Sequence, residues 1–335
     1  MTATEERLAV HPPRRRITSL EVLCVVLVLA LVFQGQLVDA LDLPALRTGA
    51  TVFVAVCVQA MPFLVLGTLI SGAIAAFLPA EALRRVLPRR SAFAVPVAGL
   101  AGVALPGCEC ASVPVARRLM QQGVAPSVAL AFLLAAPAVN PVVLVATAVA
   151  FPGRPEMVLA RFAGSLLTAV VTGWLWARFG KASWIAARAL ERLPSGEGSR
   201  WAVFAETARH DLVEAGGFLV IGGLTAAALN VLVPSTLLES LSGQWVLGIL
   251  VMALLAVVLA ICSEADAFVA ASLSALPLLP RLVFLVVGPA VDVKLIALQA
   301  GTFGKAFALR FAPLVFAVAV VCGTLAGLVL LGGVG

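Results

Sequence analysis

The chain has 335 residues, 62% of them apolar and only 12% charged, with a mean hydropathy of +1.10 and a formal charge of +6. Soluble domains carry roughly 25% charged residues, and several apolar runs here reach the ~20 residues that cross a bilayer as a helix. The composition excludes a soluble domain and specifies an all-α, polytopic, multi-pass membrane protein. The positive charge does not argue for nucleic acid as a partner. The arginines cluster beside apolar spans, where the positive-inside bias puts them.

Residues 1–19 read as a basic, cytoplasmic N-terminus containing Arg14, Arg15 and Arg16, and residues 20–48 hold an extra first span, roughly Leu20 to Val38. That run exceeds a signal-peptide core, so an uncleaved span is expected. A second span covers about Thr51 to Leu78, with Gly67 and Gly72 as small residues where a neighbouring helix can approach closely. The basic loop Arg84 to Arg90 follows, then a short apolar run from Ala92 to Leu105.

The stretch from Pro106 to Pro141 is unlike the rest. It carries Cys108, Glu109, Cys110, Arg117, Arg118, Gln121, Gln122 and Asn140, interrupted by Pro106, Gly107, Pro114, Pro126, Pro137 and Pro141. Broken helix within lipid frees backbone groups that hydrocarbon cannot satisfy, so it survives only against protein or a water-filled cavity. Polar residues at that depth mark pathways.

A span from Ala125 to Phe151 is followed by the turn Pro152-Gly153-Arg154-Pro155 and a span from Met157 to about Phe179, with Trp174 and Trp176 as interface anchors. The long hydrophilic segment is 181–210, read as a cytoplasmic linker, part of which lies on the membrane surface as a helix. The next span is Leu212 to Val233, followed by a hairpin at about Trp245 to Pro280 and an apolar helix from about Leu282 to Gly301.

The second half repeats the first. Phe63-Leu-Val-Leu-Gly67 matches Phe218-Leu-Val-Ile-Gly222, Pro137-Ala-Val-Asn140 matches Pro289-Ala-Val-Asp292, and Arg161-Phe-Ala matches Arg310-Phe-Ala. Cys110 aligns with Cys262 at the same spacing as Asn140 with Asp292, and Pro79 and Pro234 end equivalent spans. The repeats are 49–180 and 211–335. If residues 92–122 enter and leave the membrane on one side, every arginine cluster faces the cytoplasm. Each repeat is then three crossings plus a broken re-entrant hairpin. The odd number of crossings inverts the second copy, a recurring build of secondary transporters.

Within this frame the candidate solute-binding residues are Cys108, Glu109, Cys110, Asn140, Cys262 and Ser263. Cys108 and Cys110 offer two soft sulfurs beside a turn, suited to Cu(I), Zn(II) or trivalent arsenic, and are the tentative metal ligands. A packing role is the simpler account of Cys24, Cys57 and Cys322, which lie in plain apolar runs. Glu109, Glu264 and Asp266 sit among apolar residues. Burial disfavours a charged carboxylate, which suits such a group to carry a proton, and acids at a helix N-terminus also serve as caps. Asp292 and Lys294 interrupt an apolar helix. At positions i and i+2 of a helix they face different ways, so each is expected to pair with another helix. Glu264, Asp266, Asp292 and Lys294 form the proton-coupling set, with Lys294 a counter-ion to one of the hairpin acids. No Walker, HExxH or CxxCH pattern occurs, so the expectation is a non-enzymatic chain with no cofactor.

Pro106-Gly-Cys-Glu-Cys, Ser112-Val-Pro114, Gly123-Val, Ala131-Phe-Leu, Pro137-x-x-Asn140-Pro141 and Ile261-Cys-Ser-Glu-Ala-Asp266 resemble the predicted permease family that includes the ArsP-type organoarsenical exporters. The resemblance runs from the second span to the last. It implies a multi-pass permease of a bacterial inner membrane that extrudes trivalent arsenicals through thiol contacts. The residue-level expectation is a secondary exporter of a small soft solute in exchange for protons. A membrane thiol redox enzyme would instead show reversible oxidation of Cys108 and Cys110, and an ion channel would show no gradient coupling.

Overall fold

The computed structural model describes residues 44–77, 91–104, 109–190, 199–232, 245–273 and 276–332. The expected first span, the Arg84 to Arg90 loop, Pro106, Gly107 and Cys108 lie outside these residues. Every described element is helical. In the first half these are α1 (Pro44–Phe77), α2 (Ser91–Ala101, continued by a 3-10 turn at Gly102–Ala104), α3 (Glu109–Gln121), α4 (Pro126–Val139), α5 (Pro141–Ala150) and α6 (Pro155–Phe179). A 3-10 turn at Ala182–Trp184 and the short α7 (Ala187–Leu190) follow. The second half holds α8 (Arg200–Leu232), α9 (Trp245–Leu259), α10 (Asp266–Ser272), α11 (Leu278–Ala290), α12 (Val293–Thr302) and α13 (Lys305–Leu330).

Among the described residues, six stretches are long and apolar enough to cross a membrane: Leu46–Phe77, Pro126–Ala150, Pro155–Phe179, Arg200–Ala228, Leu278–Thr302 and Lys305–Leu330. Each half contributes three of these, plus a shorter apolar helix (α2 or α9) and, next in chain order, a short helix that starts at an acid (α3 at Glu109, α10 at Asp266). The packing matches as well: α2 lies on α4 and α9 on α11, α4 on α6 and α11 on α13, while α1 packs on α8 and α6 on α13. The half-helices pair crosswise, α3 against α12 and α10 against α5.

Two of the six stretches are broken. Pro141 has no N–H to donate and disfavours helical geometry at the residue before it. Asn140 accordingly takes φ −70° and ψ 154°, and its side chain accepts from Val143 N at 3.0 Å to open α5. Asp292 is extended too, at φ −139° and ψ 169°, and accepts from Leu295 N at 2.5 Å to open α12. These broken spans are the most buried of the six, so the breaks lie inside the protein. Freed backbone is tolerated at membrane depth only in such a place.

Three sequence expectations change. Helix α8 begins at Arg200 and not near Leu212, because no breaker separates Glu206, Arg209 and His210 from the apolar run. Trp176 is buried rather than an interface anchor; its ring meets those of Trp184, Phe307 and Phe311 edge-on. The start of the linker rests on protein, with Ile185 and Ala189 buried and Ala186 N donating to Phe303 O at 2.8 Å.

Candidate functional site

Glu109 opens α3, and its carboxylate is held by the other half of the chain. Lys294 Nζ lies 2.5 Å from Glu109 Oε1 and 3.7 Å from Asp292 Oδ2. All three side chains are buried, none exposing more than 1% of its surface. The short reach to Asp292 corrects the expectation that Asp292 and Lys294 do not pair. The i, i+2 argument presumes continuous helix, whereas Asp292 is extended and precedes the first turn of α12. The ammonium also donates to Ala260 O at 3.4 Å and lies 3.9 Å from Cys262 Sγ. Ala260 has φ 48°, in the left-handed region that a residue with a Cβ enters only at a cost. It is the point at which α9 gives way to the turn carrying Cys262 to Ala265.

A second ion pair lies beside the first. Arg161, fully buried on α6, donates from Nη2 to both Asp266 oxygens at 2.8 Å and to Ser263 O at 2.9 Å. Its Nη1 donates to Thr147 Oγ1 at 2.8 Å, and Thr147 in turn donates to Val143 O. Arg161 thereby ties α5 of the first half to α10 of the second. Ser263 joins the two pairs: its carbonyl accepts from Arg161, and its hydroxyl donates to Glu109 Oε2 at 3.4 Å. One connected path therefore runs Asp266–Arg161–Ser263–Glu109–Lys294–Asp292. It passes through the N-terminal starts of α3, α10 and α12.

Most of the predicted site residues converge here. Cys110 and Cys262 are buried beside the path, and Glu109, Ser263, Asp266, Asp292 and Lys294 belong to it. Glu264 sits in the same turn, and among the described residues its two buried carboxylate oxygens have no side-chain hydrogen-bond partner. The counter-ion of Asp266 is Arg161, and that of Glu109 is Lys294. Lys294 therefore does not pair with Asp266, whose counter-ion is Arg161. Asn140 caps α5 and also donates from Nδ2 to Ala136 O at 3.0 Å, so it answers the broken backbone. Among the described residues, no three of His, Cys, Asp or Glu converge on a metal-sized site.

Arg161 is the functional residue that sequence reasoning missed. It stood out only as part of the repeated Arg-Phe-Ala, although a lone arginine inside an apolar span is itself a signal. The second copy does not reproduce its role: Arg310 is exposed, donates to Ala306 O and lies over the Trp184 ring.

The comparisons with known proteins agree with this architecture. A family model described as a predicted permease matches residues 46–328. The UPF0718 protein YcgR of Bacillus subtilis is 34% identical over 262 residues, covering 77% of this chain and 89% of its own. A putative two-component membrane permease complex subunit of Streptococcus mutans is 31% identical over 267 residues, covering 78% and 88%. No solved structure matches. Among the described residues the match takes in the six long apolar stretches, but for the last two residues of α13, and the whole buried path, and on that evidence the chain belongs to the predicted permease family.

Proposed function

We propose that the chain is a secondary-transport permease of a bacterial inner membrane that exports a small soft solute in exchange for protons. The observation that carries this reading is the buried Lys294–Glu109 pair, which joins the hairpin of one half to the broken span of the other. Alternating access needs a site shared by two bodies that rock against each other, and paired broken helices meeting at depth are its usual setting. The matched element sets and crosswise half-helix contacts support two inverted repeats built around that site.

Charge supports a proton partner. Among the described residues, four acids, Glu109, Glu264, Asp266 and Asp292, share this region with two bases, Lys294 and Arg161. Buried negative charge without a counter-ion is costly, so the surplus is met by protons or by a cationic solute. Glu264 is the first residue proposed to exchange a proton, because among the described residues no cation bonds its oxygens. The thiols support a soft solute. Cys110 follows Glu109 and Cys262 adjoins Lys294, while Cys108 immediately precedes the pair in sequence. Trivalent arsenicals are the leading solute class, bound as cargo through Cys108 and Cys110.

Uptake into inside-out vesicles tests this, across a panel of arsenicals, soft metal ions and small thiol compounds, with and without a proton gradient. Gradient-dependent uptake of at least one thiophilic member is expected, lowered by Cys108→Ser or Cys110→Ser and unchanged by Cys322→Ser. Equal uptake by all variants would confine the central cysteines to packing.

A further inference from the structure

A cluster of charges distant from the buried path closes the far end of the helices that carry it. Arg117 on α3 pairs with Glu214 on α8. Arg118 Nη2 lies 3.4 Å from Asp211 Oδ2, and Ser71 Oγ of α1 donates to the same carboxylate oxygen at 2.5 Å. His210 Nδ1 stands 3.8 Å from Asp211 Oδ1 and 3.9 Å from Glu214 Oε2. Pro114, Arg117, Asp211, Glu214, Ala215 and Thr302 line a small cleft there.

Three helices connect this cleft to the site in step. On α3, Glu109 of the buried pair is followed eight residues later by Arg117 of the cleft. On α12, Lys294 is followed eight residues later by Thr302. On α8 a Cβ at Gly222 would come within 2.8 Å of the Lys294 Cα, and Glu214 of the cleft lies eight residues before it. At ~1.5 Å per residue each helix covers about 12 Å between the two levels. So α3 and α12 run side by side in one direction and α8 returns in the other, with Glu109–Lys294 at one end and the charged cleft at the opposite end.

Given the transport reading above, we infer that the passage between α3, α8 and α12 is the route from one membrane face to the site, and that the Arg117–Glu214 and Arg118–Asp211 pairs are the gate that shuts it. Both pairs join α3 of the first half to α8 of the second, so any rocking of the halves that opens this face must break them. Pro114, three residues before Arg117, removes one backbone hydrogen bond from α3 and supplies a point at which the gate end can swing while Glu109 stays in place. The linker follows α3 at this end, since Gln121 Nε2 donates to Ala189 O at 3.1 Å.

The test reads access to the site and needs no solute. In the full chain with every cysteine but Cys110 replaced by serine, a membrane-impermeant methanethiosulfonate reagent is applied to vesicles of each orientation. Neutralising both gate pairs together (Arg117→Gln with Glu214→Gln, Arg118→Gln with Asp211→Asn) removes both members of each pair and leaves His210, 41% exposed, to solvent. It is expected to speed modification of Cys110 about tenfold from the gate face alone, as the open population rises. With the Arg118–Asp211 pair intact, reversing the other pair by Arg117→Glu with Glu214→Arg keeps the slow rate. Each pair neutralised separately gives a smaller rise and serves if the fourfold variant does not elute as one species. Unchanged modification from both faces, or an equal rise from both, overturns the gate. A gate that opens in this assay while no solute is moved would overturn the transport reading and leave the gate standing.

Discussion

Lys294 is the residue on which the two halves depend. It lies within ion-pair distance of two buried acids, so removing it leaves both without their cation. Lys294→Met is expected to destabilise the detergent-solubilised protein by ~3–5 kcal/mol, the usual cost of breaking a buried pair from one side. Lys294→Met combined with Glu109→Gln and Asp292→Asn recovers most of that loss, because it removes the acids along with their partner. Thermal unfolding of the single and combined variants checks the coupling; purely additive losses would show that the three side chains do not act together. Arg161 is held in the same way by Asp266, so Arg161→Gln is expected to be restored in part by Asp266→Asn and not by Glu264→Gln.

At the scale of elements, the helix breaks and the glycine contacts place these residues. Asn140→Ala removes the cap of α5 and is expected to cost about 1 kcal/mol in the same melts. Asp292→Ala should cost more, since it removes a cap and a partner of Lys294 together. A Cβ on Gly67 would collide with the Ala111 backbone at the start of α3, whereas one on Gly217 meets nothing within 4 Å. Gly67→Ala is therefore expected to lower stability by ~1–3 kcal/mol as overpacking does, and Gly217→Ala to leave it unchanged or slightly raised. The break at Asn140 was legible in the sequence because Pro141 announces it. The break at Asp292 carries no proline after it, and reading through it as helix gave Asp292 and Lys294 the wrong geometry. The partners of Glu109 and Asp266 were not legible for a different reason. Both lie in the opposite half of the chain, and local periodicity says nothing about which distant helix will face a buried acid.

At the scale of the whole molecule, the repeat of short motifs in order was enough to anticipate three long apolar helical stretches in each half among the described residues. The same reading puts the tip after α3 and the start of α8 on the cytoplasmic face. Cysteines at positions 122 and 201 are expected to react with an impermeant maleimide from that face alone; reaction of position 122 only from outside would remove the re-entrant hairpin. The central claim is that the buried path couples a proton gradient to solute movement, and Glu264 gives the most direct access to it, because among the described residues no arginine or lysine bonds this carboxylate. The decisive measurement is gradient-driven accumulation of a trivalent organoarsenical probe in inside-out vesicles, compared between the unaltered chain and Glu264→Gln. The account predicts accumulation by the unaltered chain that collapses with the gradient, and a Glu264→Gln variant that still exchanges labelled probe across the membrane but no longer accumulates it. Accumulation that is indifferent to the gradient, or undiminished in Glu264→Gln, would contradict it.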